Sequence, residues 1–216
     1  MAFVSKERFL VESYVADRIS RLLRQREQSP SQYKANLAHL RSSVATLPGA
    51  NPDVWGIEFS GLPTLLAGTG ADDPTEGEWA VHLALSLFAV HQQSQDVAMH
   101  RSGNDESPMA YSFGHAVNRL SHSGKDGQGE ELEQGEMPRR FAAFVTAESI
   151  EELAHYARQI AQQLRTAGIP VDYARFAGQL YDWQLPYRRS QVRLEWGREF
   201  AAFVDRPENK EQEAKA

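Results

Sequence analysis

Six arginines in the last third of this chain could do chemistry, and that chemistry would be anion binding. Arg139 and Arg140 sit in PRRFAAFV, while Arg188, Arg189, Arg193 and Arg198 crowd the segment PYRRSQVRLEWGREF. A guanidinium is always charged, and its planar fork of donors matches a phosphate or carboxylate bidentately. Arg188 and Arg189 follow Pro186 with no acid beside them. Arg139 and Arg140 follow Pro138, where a helix N-terminus would add backbone N–H donors. These four read as free to bind phosphate. Arg193 and Arg198 instead share a helix with Glu195 and Glu199. Intrahelical pairing, worth about 0.3–0.5 kcal/mol per pair, would neutralise them.

No other residue type offers a comparable constellation. The histidines at 39, 82, 91, 100, 115, 122 and 155 include no i,i+4 pair and no HExxH, so a helix-borne metal site has no support. His115 and His122 would share a face as two surface histidines, and His82 and His91 fall in an apolar run, as satisfied core residues. Asp72 with Asp73, and Glu151 with Glu152, are adjacent and so diverge around a helix. Gly124, Gly127 and Gly129 do not make a phosphate loop, because no strand precedes them and the flanking acids would repel phosphate. GxSxG is absent, and with no cysteine the chain excludes thiol catalysis, zinc ribbons and iron–sulfur clusters. The reading is a non-catalytic protein with no cofactor and no metal.

A net charge of −6 gives the whole chain no general attraction to nucleic acid, so any binding must come from local placement of charge. That placement is uneven. Residues 1–47 carry +4, residues 48–79 hold six acids and no base, residues 122–137 carry −4, and residues 138–204 return to +2. The basic ends could present a polyanion-facing surface that excludes the acidic middle. At 216 residues the chain can bury a sizeable core without staples. Its opening, MAFVSKERFLVESYVADR, lacks the unbroken apolar region of a signal peptide, and no run approaches 18 apolar residues. A cytoplasmic protein with no membrane contact is expected.

The elements that must position the arginines read as all-α, about eight or nine helices in two packed subdomains. Residues 1–121 form the N-terminal part and 138–204 the C-terminal part, with a mobile acidic loop at 122–137 and a disordered tail at 205–216. Phe9, Leu10, Tyr14, Val15, Ile19, Leu22 and Leu23 make one face of a first helix that ends before Ser29 and Pro30. Ser31 caps a second, with Tyr33, Leu37, Leu40, Val44 and Leu47 inward. Turns follow, tacked to the core by Trp55, Ile57, Phe59, Leu62 and Leu65. WAVHLALSLFAVHQQ, from Trp79 to Gln93, is apolar on nearly every face and predicts an encircled central helix. Pro108 permits a helix from Met109, Ser149 with Glu152 predicts a capping box, and helices over Asp172–Trp183 and Ser190–Phe203 complete the set.

Four segments in order carry a family resemblance: WAVHLALSLFAVHQQ, SFGHAVNRL from Ser112, the stretch from PRRFAAFV to GQLYDW, and RRSQVRLEWGREF. Over Trp79 to Phe203 the chain resembles the CasB family, the small subunit of the type I-E CRISPR surveillance complex Cascade. The N-terminal 75 residues match only in helical character. The resemblance implies an elongated, non-catalytic helical protein, present as two copies beside other Cascade subunits and guide RNA. It would hold target DNA, chiefly the displaced single strand, and so stabilise the R-loop. Carried over by position, Arg139, Arg140, Arg188, Arg189 and Arg193 match the family's basic sites, and Arg119 in SFGHAVNRL matches more weakly. His115 stands where relatives often carry arginine, and the acidic loop looks like an insertion. Tyr181, Trp183, Tyr187 and Trp196 lie near the arginines and could stack on bases, although core packing suits Trp183 and Trp196 better. The rival reading is a helical protein–protein scaffold whose arginines meet acidic partner surfaces.

Overall fold

A computed structural model describes residues 5–69, 73–103, 107–123 and 135–202. Most of the loop expected at 122–137, and all of the tail expected from 205, lie outside these residues. Among the described residues there are nine α-helices, one 3-10 turn (Pro52–Val54) and no strand, so the all-α expectation holds. The helices are α1 (Lys6–Gln28), α2 (Pro30–Ser43), α3 (Trp55–Glu58), α4 (Glu76–Gln92), α5 (Phe113–His122), α6 (Glu136–Thr146), α7 (Ile150–Ala167), α8 (Tyr173–Gln184) and α9 (Pro186–Ala201). One isolated bridge, His100 to Val171, ties the segment after α4 to the approach to α8.

The encircled helix is α4. A full capping box starts it: the Thr75 hydroxyl accepts the Glu78 N–H at 3.1 Å, and the Glu78 carboxylate accepts the Thr75 N–H at 2.9 Å. From Ala80 to Gln92 every residue is buried, because α1, α2, α7 and α8 surround it. Each large apolar side chain taken fully from water there stabilises by about 1.5–3 kcal/mol. α8 then packs on α9, and α9 lies on α5 and α6. Two glycines permit the close crossings. A Cβ at Gly178 of α8 would fall 2.6 Å from Glu12 Cγ of α1, and one at Gly114 of α5 would fall 2.7 Å from the Trp196 carbonyl of α9. Buried residues of both sequence halves belong to one continuous apolar cluster.

Local details differ from the sequence reading for physical reasons. Phe9 is 61% exposed, and the inward face of α1 runs instead through Val11, Tyr14, Val15, Ile19 and Leu22, with Arg8 beside it. Ser29 is the N-cap of α2 and Pro30 its first residue, the position where a missing N–H costs nothing, so Ser31 lies inside the helix. Leu47, Trp55 and Leu65 are more than half exposed, and Val54 and Leu66 anchor that stretch in their place. α5 starts at Phe113, not Met109, with Ser112 as its N-cap. At α7 only half of the capping box forms: Ser149 accepts the Glu152 N–H, but the Glu152 carboxylate turns to the N–H of Glu148.

Candidate nucleic-acid interface

Because Pro186 stands at the N-terminus of α9, that helix starts one turn earlier than the periodicity from Ser190 suggests, and Arg188 and Arg189 lie within it. Its sequence then sends acids inward. Glu199 is 1% exposed and accepts from Arg175 Nη2 at 2.8 Å, Gln179 Nε2 at 2.8 Å and the Gly114 N–H at 3.3 Å. Glu195 accepts from both Arg8 Nη atoms at 3.3 Å. Arg8 also donates to Glu12 at 2.9 Å and to the buried Asp182 at 3.1 Å, and Trp196 Nε1 donates to Gln179 at 2.9 Å. Burial alone would lower the Arg8 pKa, but Glu12, Glu195 and Asp182 more than reverse this and leave it raised. Glu195 and Glu199 are therefore committed to helices α1 and α8, not to the arginines of α9.

The outward arginines fall into two groups, at opposite ends of the α6–α9 pair. Phe141, midway along α6, stacks on Phe200, near the end of α9, at 5.0 Å, whereas Arg193, midway along α9, reaches the carbonyls that end α6. The two helices are thus antiparallel. At one end, Arg188 bonds Asp182 at 3.3 Å. Arg189 donates its Nε to the Trp183 carbonyl at 3.1 Å, lies 4.4 Å over the Trp183 ring, and places Nη1 3.6 Å from Glu148. Arg193 Nη2 donates to the Ala147 carbonyl at 2.8 Å and to Glu148 at 2.8 Å. The hydrogen bond and charge of Arg193, with the charge of Arg189 behind them, hold the Glu148 carboxyl below its usual range. The expectation that Arg188 and Arg189 are unpaired is thereby corrected: the acid of Arg188 comes from α8, six positions back, and that of Arg189 from the turn before α7.

At the other end, Arg139 is exposed with no hydrogen bond or ion pair among the described residues, and Arg140 is paired with Glu136 in its own helix. Asn118 donates to the Phe200 carbonyl at 2.8 Å, which sets the last turn of α5 against the end of α9. Arg119 and Arg198 project from those turns, both exposed and both unpaired among the described residues. Arg139, Arg119 and Arg198 thus stand on elements that meet around Phe200, while Arg188, Arg189 and Arg193 lie toward the other end of the pair.

His115 is not a surface residue: it is 6% exposed on α5, and burial, reinforced by the charge of Arg119, lowers its pKa. Its ring is neutral at neutral pH and cannot replace an arginine. His122 is exposed, bonded to the Asn118 carbonyl. His82 and His91 are core residues as expected, the first bonded to Glu58 at 2.9 Å, the second to the Tyr173 hydroxyl at 2.9 Å. Trp183 and Trp196 are core residues, Tyr181 is half-buried, and Tyr187 is 79% exposed at the start of α9. An open depression of about 280 Å3 lies beside Arg189, walled by Trp79, Trp183 and Ile150. Among the described residues no group of three His, Cys, Asp or Glu could hold a metal, and no helix is long and apolar enough to cross a membrane.

The family model for the CRISPR-associated protein Cse2 matches residues 36–200. The chain is similar to the crystal structure of CasB from Thermobifida fusca, with a TM-score of 0.68 and 28% identity over 89% of this chain and 98% of that one. It shares the fold of a Cse2-family CRISPR-associated protein from Thermus thermophilus, with a TM-score of 0.59 and 22% identity over 86% of this chain and 96% of that one. It also shares the fold of M. ruber CasB, with a TM-score of 0.55 and 20% identity over 85% and 92%. A search of curated proteins found no match.

Proposed function

This chain belongs to the CRISPR-associated Cse2 family, and from that premise we propose that it is the non-catalytic small subunit of an RNA-guided surveillance complex of the Cascade kind. In that role it holds the displaced DNA strand by its backbone while guide RNA pairs with the target, working in the cytoplasm beside the other subunits and a second copy of itself. R-loop formation is nearly balanced energetically, so a few phosphate contacts to the displaced strand suffice to tip it. The observation that carries the reading is the set of exposed, unpaired arginines at one end of the α6–α9 pair: Arg139, Arg119 and Arg198. In an acidic chain whose interior arginines are matched with acids, these three cations retain charge that no acid among the described residues neutralises.

Phosphate recognition of this kind carries no base-edge reading and is strongly salt-dependent. The test is a salt series of single-stranded oligothymidylate binding by fluorescence anisotropy, comparing the wild-type chain with an Arg139→Glu, Arg119→Glu double variant. The expected result is a steep loss of wild-type affinity with salt and a shallower slope for the double variant. An identical slope in both proteins removes nucleic acid from these positions and leaves the scaffold reading. The scaffold reading has its own support in the exposed Leu47, Trp55, Leu65 and Leu194, which suit contacts with other subunits.

A further inference from the structure

Among the described residues Glu148 is the one acid that meets two of the outward arginines, and the fit is unequal. Its Oε1 lies 2.8 Å from Arg193 Nη2, but its Oε2 lies 3.6 Å from Arg189 Nη1, beyond hydrogen-bond range. Neither guanidinium depends on Glu148 for its place. Arg189 is fixed by its Nε bond to the Trp183 carbonyl and by the Trp183 ring beneath it. Arg193 is fixed by the carbonyls of Ala147 and Thr146, and its Nε is buried with no partner. The backbone of Glu148 is held in turn, since its N–H donates to Glu152 at 3.0 Å. Its carboxylate, by contrast, is 74% exposed and among the described residues is attached only to the two arginines. The result is a pair of anchored cations around a small, exposed anion that fits one of them and falls short of the other.

We propose that Arg189 and Arg193 form a preformed clamp for one phosphodiester of an unpaired nucleic-acid strand, a site that the Glu148 carboxylate fills in the unbound protein. A phosphodiester carries its charge on oxygens that spread wider than a carboxylate's, so it can satisfy Arg189 without giving up Arg193. The open depression beside the same Arg189 is lined by Pro74, Glu76, Trp79, Ile150, Trp183 and Gln184, a mixed polar and apolar wall that leaves room for a base attached to that phosphate. Unpaired bases can turn into such a depression, and stacked ones cannot. The clamp rests on the nucleic-acid reading above, yet it adds something that reading does not require: affinity held down by a residue of the chain itself.

The test measures binding of single-stranded oligothymidylate by the full chain carrying Glu148→Gln, which keeps the shape and removes the charge. Glu148→Gln should bind about two- to fivefold tighter than wild type at low salt, the size expected for removing a competing exposed ion pair. Adding Arg189→Gln and Arg193→Gln to Glu148→Gln should abolish the gain. Thermal melts establish that each variant is folded, and the exposed position of Glu148 makes unfolding by Glu148→Gln the least expected outcome. If wild type shows a salt-dependent affinity that Arg139→Glu reduces, while Glu148→Gln binds no tighter than wild type, the clamp is overturned and the wider reading stands. If wild type shows no salt-dependent binding, both fall together.

Discussion

On its inward side α9 presents Glu195 and Glu199, held by Arg8 and Arg175 from other helices, while on the outward side of the same region Arg198, Arg139 and Arg119 meet no acid among the described residues. The residue types are the same on both sides, and their physical meaning is opposite. A buried charge is tolerable only when its partners and hydrogen bonds are complete, so an interior arginine contributes to stability and has nothing left for a ligand. An exposed arginine without a partner contributes almost nothing to stability and keeps its charge for a ligand. Counting arginines along the sequence cannot separate the two, and partners in space do.

The sharpest way to break this contrast is Arg8→Met. It leaves Glu12 and Glu195 without their shared cation and the buried Asp182 with Arg188 alone, and should cost about 3–5 kcal/mol, lowering the melting temperature by roughly 10 °C in a circular-dichroism melt. A fall of only a degree or two would mean that the inner network is ornamental. Next in size is a pH effect from an interior group that has no acid to compensate it. Burial lowers the pKa of His91 to about 4 in the folded protein from an ordinary value near 6.5. The stability it contributes is therefore complete above pH about 6.5 and is lost as the pH falls through about 4, reaching about 3 kcal/mol. His91→Gln should flatten that part of a stability–pH profile measured by urea unfolding, and His100 and His115, lowered in the same direction, should retain the rest.

The outward group is tested by binding. The Arg139→Glu, Arg119→Glu double variant should lower the magnitude of the salt slope by roughly one to two, at about 0.7 per lost phosphate contact on single strands, with stability within about 0.5 kcal/mol of wild type. The smallest effect belongs to Arg188, whose bond to Asp182 places it with the inner network in spite of its half-exposed position. Arg188→Gln should cost about 1 kcal/mol in unfolding experiments and leave the salt slope unchanged. A changed slope would place Arg188 with the arginines that meet nucleic acid.

The helices were legible in the sequence wherever burial is one-sided or complete. α4 announced itself by having no polar face, and α1 and α7 by spacings of three and four. Single ends were less legible, because Ser29 and Ser31 both suit a cap and only Pro30 at the first helical position decides between them. The arginines were found as a group, but their sorting was not, since much of it depends on acids supplied by other elements: Glu148, before α7, is 45 positions from Arg193, and Asp182 of α8 turns to Arg188. His115 illustrates the same limit. Its spacing from His122 places both on one face of α5, yet His115 is buried beside the crossing with α9 that Gly114 allows, while His122, two turns on, is exposed.

The bond from Arg8 to Asp182 also sets a clock. At a synthesis rate of about 5–20 residues per second, roughly ten to thirty-five seconds separate the two residues at the ribosome. Through that interval α1 has α2 and then α4 to pack against, but not α8, against which Gly178 lets it lie most closely. Helix α1 is thus made early and packed late, and the electrostatic seal on its first turn closes only after α8 has been synthesised.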